Sequence, residues 1–155
     1  MMLQDIGTVF WRDWLVLRQR MKTFIFSRMV TPILYLVAFG WGLGRNVQVE
    51  GGSYLDFIVP GILALNSMNI SFNSVGSPLN MSRLYHKTLE EYLVAPISPV
   101  AFVLGKIFAG TFRGLISSVI IVVLAFLFGA KFQINVAFVL IVTLNCMAFA
   151  GLGFV

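Results

Sequence analysis

Charged residues are scarce in this chain of 155 residues. Only 11% of its residues are charged and 59% are hydrophobic, and the mean hydropathy is +0.92. Soluble domains carry roughly 25% charged residues, so the composition favours a protein that lies in lipid. A soluble helical bundle is the alternative. It would need polar faces at a period of 3.6 residues, and most of the apolar stretches have none.

Side chains that perform chemistry are also few. The chain has one cysteine, Cys146, one histidine, His86, and six acidic residues. Cys146 has no partner for an intrachain disulfide, and His86 has no neighbouring set of metal ligands. No serine or cysteine has a plausible base beside it. The sequence therefore predicts no catalytic, cofactor-binding or metal site, and an intramembrane enzyme is the least favoured class.

Long apolar runs dominate instead, and they predict four membrane-spanning helices. Crossing the hydrocarbon takes about 20 apolar residues. The predicted spans are residues 23–44, 55–79, 99–128 and 134–155. A cleavable signal peptide is disfavoured because no A-x-A site follows the first run. The predicted fold is therefore an all-α membrane protein with a single transmembrane domain over residues 1–155.

The net charge of +5 is distributed unevenly along the chain. Eight of the 11 cations precede the first span or surround the second turn: Arg12, Arg18, Arg20, Lys22, Arg28, Arg83, Lys87 and Lys106. The other two turns hold only Arg45 and Lys131. Cytoplasmic loops carry an excess of Lys and Arg, so we expect a multi-pass protein with a cytoplasmic N-terminus and a cytoplasmic loop at residues 83–97. This distribution disfavours nucleic acid as a partner.

Residues 1–22 predict an amphipathic helix. Its apolar residues recur at spacings of three and four: Leu3, Ile6, Phe10, Trp14, Leu17 and Met21. Its polar residues fall on the opposite side: Gln4, Thr8, Arg12, Gln19 and Lys22. A helix with tryptophan and basic residues suits the plane of the membrane interface. A plain cytoplasmic lead-in helix is the alternative.

One polar stripe follows the second predicted span. Asn66, Asn69, Asn73 and Ser77 recur at intervals of three, four and four residues. Polar residues inside a membrane either bind neighbouring helices or line a path, and both interpretations stay open. We also expect Pro60, near the start of this span, to break its helix early.

The third predicted span begins with a helix cap and carries two cations. Ser98 is expected to cap the helix, with Pro99 at its first position. Lys106 and Arg113 are seven residues apart and share a face, with Arg113 roughly 10 Å deeper. A charge at that depth is expected to face protein or water. Gly110, Gly114 and Ser118 form a series of small residues that permits close helix packing.

A short acidic helix is predicted within the loop at residues 83–97. Thr88 and Glu91 form a capping box, and Glu90 and Glu91 complement the helix dipole. The apolar face consists of Leu89, Tyr92 and Leu93. Two turns of helix are not stable alone in water, so this face needs a surface on which to lie. The alternative is a tight turn whose acidic residues only cap it.

In their order and spacing, these segments resemble the membrane permease subunits of type-2 ABC exporters. The matching residues are Pro60–Gly61, "TLE" at 88–90, "LVAPIS" at 93–98 and "LGK" at 104–106. Lys87 departs from the glycine that many members have at that position. Members usually have six spans, so the resemblance implies the first part of a six-helix permease. We accordingly expect the natural protein to continue beyond Val155.

The resemblance also implies partners and functional residues. A coupling helix of such exporters docks on a separate ATP-binding-cassette ATPase subunit. Here it would consist of Thr88, Leu89, Glu90, Glu91, Tyr92 and Leu93. A homodimer in the lipid of the bacterial cytoplasmic (inner) membrane would pass substrate along its interface, with the asparagine stripe and Arg113 as candidates to line the path. The alternative function is a non-transporting membrane scaffold or assembly subunit.

Overall fold

The regular structure of this chain is helical throughout the residues that the computed structural model describes. These are residues 2–43, 54–82, 98–130 and 134–154. The α-helices are α1 (Met2–Gln19), α2 (Met21–Tyr35), α3 (Tyr54–Met81), α4 (Pro99–Leu127) and α5 (Val136–Leu152). A π-helical segment, Leu36–Leu43, continues α2. The predicted all-α fold is confirmed.

Two helix starts follow local side-chain chemistry. The Ser98 hydroxyl accepts a hydrogen bond from the Ala101 amide at 3.2 Å, and Pro99 occupies the first position of α4. The predicted cap is therefore confirmed. The side chain of Asn135 caps α5 by accepting from the Val136 amide at 2.7 Å. Each oxygen satisfies a helix N–H that has no partner within the helix.

Pro60 does not break helix α3 as the sequence predicted. Helix α3 runs without a break from Tyr54 through Pro60 to Met81, so the expected early break is wrong. A proline removes one backbone hydrogen bond, and neighbouring helices stabilise the helix around that loss in a tightly packed membrane protein. Pro32 lies buried within α2, and the change to π-helical geometry follows it at Leu36.

Successive long helices run in opposite directions. At one end, Leu36 of the π segment clusters with Val59 near the start of α3 and Leu124 near the end of α4. At the other end, which we call the α1 end, Ser82 and Phe102 line one groove with residues of α1. The Phe154 ring also lies 6.3 Å from the Phe102 ring there. The α1 end therefore gathers α1, the end of α3, the start of α4 and the end of α5.

Small residues hold α3, α4 and α5 together. Gly110 and Gly114 of α4 are buried against α3 and α5. A Cβ at Gly110 would lie 2.5 Å from Val75 Cγ2 and 3.1 Å from Ala150 Cβ. Such contacts let helix backbones approach closely, which is the main source of helix association in lipid. The predicted role of this glycine series in packing is confirmed.

Helix α1 packs on the first half of α4. Val9 and Leu17 are buried, and a Cβ at Gly105 would lie 2.8 Å from Val9 Cβ. The Trp14 and Phe10 rings contact the Phe112 ring edge to face, at 5.3 and 5.8 Å. The predicted apolar stripe therefore faces α4 over much of its length.

Within the described residues, two helices are long and apolar enough to cross a membrane, judged by length and composition alone. They are Met21–Phe39 and Pro99–Leu127. Helix α5 is apolar but has 17 residues. Helix α3 has 28 residues and carries the polar stripe.

The Gly114 contact predicts a destabilised variant. A Cβ at this position would overlap Ser71 Oγ and lie 2.8 Å from Cys146 Sγ, so Gly114→Ala is expected to lower the free energy of unfolding by about 1–3 kcal/mol. Gly7→Ala is the matched control, because a Cβ at Gly7 meets nothing within 4 Å and alanine favours a helix by about 0.5–1 kcal/mol. Unfolding in detergent by temperature or denaturant measures both. Equal effects of the two substitutions would contradict the close packing.

Candidate functional site

A groove of about 250 Å³ lies at the α1 end, between α1, α3 and α4. We call it the basic groove. Among the described residues, its polar lining consists of Arg12, Asp13, Ser74, Ser82, Lys106 and Arg113. Three of these side chains are cationic and one is anionic, so the described part of the lining carries a net positive charge.

An ion pair joins α1 to α4 in the basic groove. Lys106 Nζ lies 2.9 Å from both Asp13 carboxylate oxygens. The two side chains are only 17% and 15% exposed, so solvent screens the pair less than an ordinary surface pair. The ammonium also lies 5.9 Å from the centre of the Phe102 ring, within the range of a cation–π interaction.

Arg113 lies deeper and bridges all three helices. Its Nη1 donates to the Ser74 carbonyl of α3 and its Nη2 to the Asp13 carbonyl of α1, both at 3.4 Å. The prediction that Arg113 faces protein or water is therefore confirmed. Lys106 and Arg113 meet the same residue of α1, as their shared helix face predicts.

The sequence did not predict that Asp13 takes part in this site. The predicted apolar stripe consists of Leu3, Ile6, Phe10, Trp14, Leu17 and Met21. The structure shows that Val9, outside this stripe, is buried as well. Asp13 lies four residues after Val9 and four before Leu17, on one line with these two buried residues. An acidic residue within a buried apolar line needs a cationic partner. The position of Asp13 between Val9 and Leu17 is therefore the sequence signal that points to an ion pair.

The asparagine stripe lies largely on an exposed face of α3. Asn69 Nδ2 donates to the Leu65 carbonyl at 2.9 Å, and Asn73 Nδ2 to the Asn69 carbonyl at 2.8 Å. Both bonds stay within α3, and Ser77 is also exposed. The Asn66 Nδ2 is buried without a hydrogen-bond partner among the described residues. Asn69 and Asn73 therefore do not join α3 to its neighbours in the described part of the chain.

A neighbouring face of α3 makes the interhelical polar contact instead. Asn145 Nδ2 of α5 donates to Ser67 Oγ at 3.0 Å and lies 3.3 Å from the Ala64 carbonyl. Ser67 is fully buried. Helix–helix hydrogen bonding thus occurs, but through residues that the stripe pattern did not single out.

A second, larger groove of about 570 Å³ separates α2 from α3. Its polar lining includes Arg28, Thr31, Tyr35, Asn66 and Asn69. The first part of the asparagine stripe therefore faces a space lined by both polar and apolar side chains.

The predicted coupling residues, Thr88 to Leu93, lie outside the described residues. The described residues that flank the segment are informative. Ser82 lines the basic groove, and Ser98 caps α4 four residues before Phe102, which lines the same groove. The segment therefore leaves and rejoins the described fold at the α1 end.

Apolar helices of alternating direction, packed through small residues, are typical of helical membrane proteins. More specifically, the chain belongs to the ABC-2 type transporter family, whose model matches residues 4–155. No solved structure matches the chain.

Two kinds of curated relative are similar to this chain. The inner membrane transport permease YadH of Escherichia coli K12 is 30% identical over 129 residues, which cover 80% of this chain and 50% of YadH. Nodulation protein J of Azorhizobium caulinodans is 28% identical over 76% of this chain and 46% of its own length. Nodulation protein J of Rhizobium meliloti is 26% identical over 93% and 56%. The chain thus spans about half the length of these relatives.

The ion pair predicts energetic coupling between α1 and α4. Asp13→Asn and Lys106→Gln each leave a mostly buried charge without its partner, and each is expected to lower the free energy of unfolding by about 1–3 kcal/mol. The double variant should lose less than the sum of the two, because its second substitution removes the unpaired charge. Denaturant unfolding of all four proteins measures the coupling. Lys22→Gln, at an exposed cation, is the control, and strictly additive losses would contradict the pair.

Proposed function

We propose that this chain is part of a membrane permease that exports a substrate across the bacterial inner membrane. The energy comes from ATP hydrolysed on a separate ATP-binding-cassette subunit, and the permease itself is not an enzyme. Membership of the ABC-2 type transporter family over residues 4–155 carries this proposal. The relative described as an inner membrane transport permease supports it.

The proposed topology has four spans and one interfacial helix within a single domain over residues 1–155. The spans are residues 23–44, 55–79, 99–128 and 134–155. The alternating directions of the long helices support this topology. Helix α5, with 17 residues, reaches about 26 Å, and its flanking apolar residues extend it toward the thickness of the hydrocarbon. On α1, Trp11 is 60% exposed and Leu15 is 40% exposed, which suits contact with the membrane interface.

The α1 end of the bundle is proposed to be cytoplasmic. Arg12, Lys106 and Arg113 all lie there, and the segment at 83–97 leaves the described fold there with two further cations, Arg83 and Lys87. An excess of Lys and Arg on one side marks that side as cytoplasmic.

Thr88, Leu89, Glu90, Glu91, Tyr92 and Leu93 are proposed to form the contact with the ATPase subunit. The residues that flank this segment support a mechanical role. Helix α3 ends at Met81 and α4 begins at Pro99, so a displacement of the segment is transmitted directly to two long helices. The Asp13–Lys106 pair then carries the movement of α4 to α1.

The exposed asparagines are proposed to face the translocation path at the interface of a permease homodimer. Lipid chains offer no hydrogen bonds to Asn69, Asn73 and Ser77, so a protein or aqueous surface is the favourable neighbour for this face. Asn66 contributes where the stripe meets the groove beside α2. Arg113 lines the groove at the α1 end of α4, where a cytoplasmic entrance to the path would lie.

Cysteine labelling tests the orientation. Cys146 is fully buried, and replacing it with alanine, together with any cysteine outside these 155 residues, gives a background without reactive thiols. Tyr92→Cys is then expected to react with an impermeant maleimide only after the inner membrane is permeabilised. The turn at residues 45–54, between the first two predicted spans, lies outside in this topology, so Asn46→Cys should react in intact cells from which the outer membrane has been removed. Labelling of Tyr92→Cys in intact cells would reverse the topology.

Charge reversal at Glu90 and Glu91 tests coupling. The double variant Glu90→Lys/Glu91→Lys is expected to lower transport and permease-stimulated ATPase activity by about tenfold or more. The reason is that these acidic residues are expected to cap the coupling helix or pair with basic residues of the ATPase subunit, and like charges at such an interface cost several kcal/mol. The amount of protein in the membrane fraction should not change. Glu50→Lys, on the predicted outer side, is the control for a charge reversal remote from the ATPase. Normal transport by the double variant would instead favour a scaffold or assembly subunit.

A further inference from the structure

We propose that the basic groove binds the phosphate of an anionic phospholipid from the cytoplasmic leaflet. The proposal rests on the orientation given above, because that orientation places the groove at the inner surface of the membrane. The asparagine stripe does not line this groove. The proposed ligand is a lipid of the bilayer, which would bind beside the proposed cytoplasmic entrance of the path.

The described side chains of the groove favour an anion. Asp13 is bound by Lys106 through both of its oxygens. Arg113 lines the same groove as a further cation, so the described residues around this pair carry an excess of positive charge. A positive groove at the cytoplasmic surface attracts anionic lipid, and basic pockets between membrane helices bind lipid headgroups.

The geometry of Arg113 leaves its guanidinium able to bind a further group. Its two hydrogen bonds within the described residues are 3.4 Å long and end on uncharged backbone carbonyls. Charge-assisted bonds are shorter, at about 2.7–2.9 Å. A guanidinium has five donors in a planar fork that matches phosphate oxygens. A phosphate therefore offers Arg113 stronger bonds than its two protein partners do.

The dimensions of the groove fit a headgroup rather than a whole drug-sized molecule. Its volume is about 250 Å³, whereas pockets for such molecules begin at about 300 Å³. Val16, Leu79 and Phe102 form apolar lining beside the cations. Val16 is 50% exposed, so the apolar lining continues to the surface of α1. This arrangement suits an amphiphile whose phosphate lies inside and whose acyl chains lie outside.

The end of α3 opposes this binding to a small extent. Its last carbonyls, near Ser82, carry partial negative charge and disfavour an anion. That effect is equivalent to roughly half a unit charge, so the net positive charge of the lining outweighs it.

Lipid retention by the full-length protein tests the site. The purified protein is mixed in neutral detergent with phosphatidylglycerol or phosphatidylcholine, and bound lipid is counted by native mass spectrometry over a concentration series. Phosphatidylglycerol should bind more tightly than phosphatidylcholine. Arg113→Gln should weaken phosphatidylglycerol binding by about tenfold, as expected for the loss of a charge-assisted hydrogen bond. Arg18→Gln is the matched control, because Arg18 is an exposed α1 cation that does not line the groove.

Two substitutions in the ion pair separate lipid binding from simple structural damage. Asp13→Asn and Lys106→Gln both break the same contact, but they change the charge of the groove in opposite directions. Asp13→Asn should therefore bind phosphatidylglycerol at least as tightly as the natural chain, whereas Lys106→Gln should bind it about tenfold more weakly. Equal losses in both variants would mean that the cations only hold α1 in place, and would overturn the proposal.

A soluble competitor identifies the source of the phosphate. Glycerol 3-phosphate at millimolar concentration should leave bound phosphatidylglycerol in place, because it lacks the acyl chains that follow the apolar lining. Displacement would show that the groove recognises a soluble phosphorylated compound and would overturn the assignment to lipid. The measurement uses neither ATP nor the ATPase subunit, so its result is independent of the coupling proposed for Glu90 and Glu91.

Discussion

Close approach of helix backbones is the constraint on which this structure depends. Apolar side chains gain little free energy when they exchange contacts with lipid chains for contacts with another helix. Membrane helices therefore associate through van der Waals contact and a few hydrogen bonds. Gly110 and Gly114 provide that contact on α4, where a Cβ on either would collide with α3 and α5. The Asn145–Ser67 hydrogen bond adds one polar link between α3 and α5. The packing of α3, α4 and α5 determines where the grooves and the exposed faces lie.

At one end of the packed helices α3, α4 and α5, an ion pair attaches a further helix, α1. Helix α1 has its own apolar contact through Val9 and Gly105, and the Asp13–Lys106 pair adds an electrostatic one. Burying such a pair gains little stability over an apolar contact, but removing one partner is costly. The pair therefore fixes the register of α1 on α4 more than it strengthens the fold. A movement of α4 is therefore expected to move α1, which is proposed to lie in the membrane interface.

The outer surfaces of the bundle divide into apolar and polar faces. On α4, Val119 and Leu127 are 62% and 77% exposed, as expected for side chains that contact lipid. On α3, Asn69 and Asn73 are exposed instead. Lipid is an unfavourable neighbour for such a polar face, because amide groups find no hydrogen-bond partners in lipid. This face therefore favours a second protein surface or a polar path beside α3.

The sequence alone determined the helical class, the cap at Ser98 and the packing role of the α4 glycines, because hydropathy, capping and residue size act locally. It also predicted that Arg113 faces protein or water. It did not reveal that Asp13 pairs with Lys106 across 93 positions of the chain, nor that α3 continues through Pro60, nor that Asn69 and Asn73 donate to carbonyls of their own helix. Those outcomes depend on which helix faces meet. Only the tertiary structure decides them, because a period of 3.6 residues says which side chains share a face but not which neighbour that face will find.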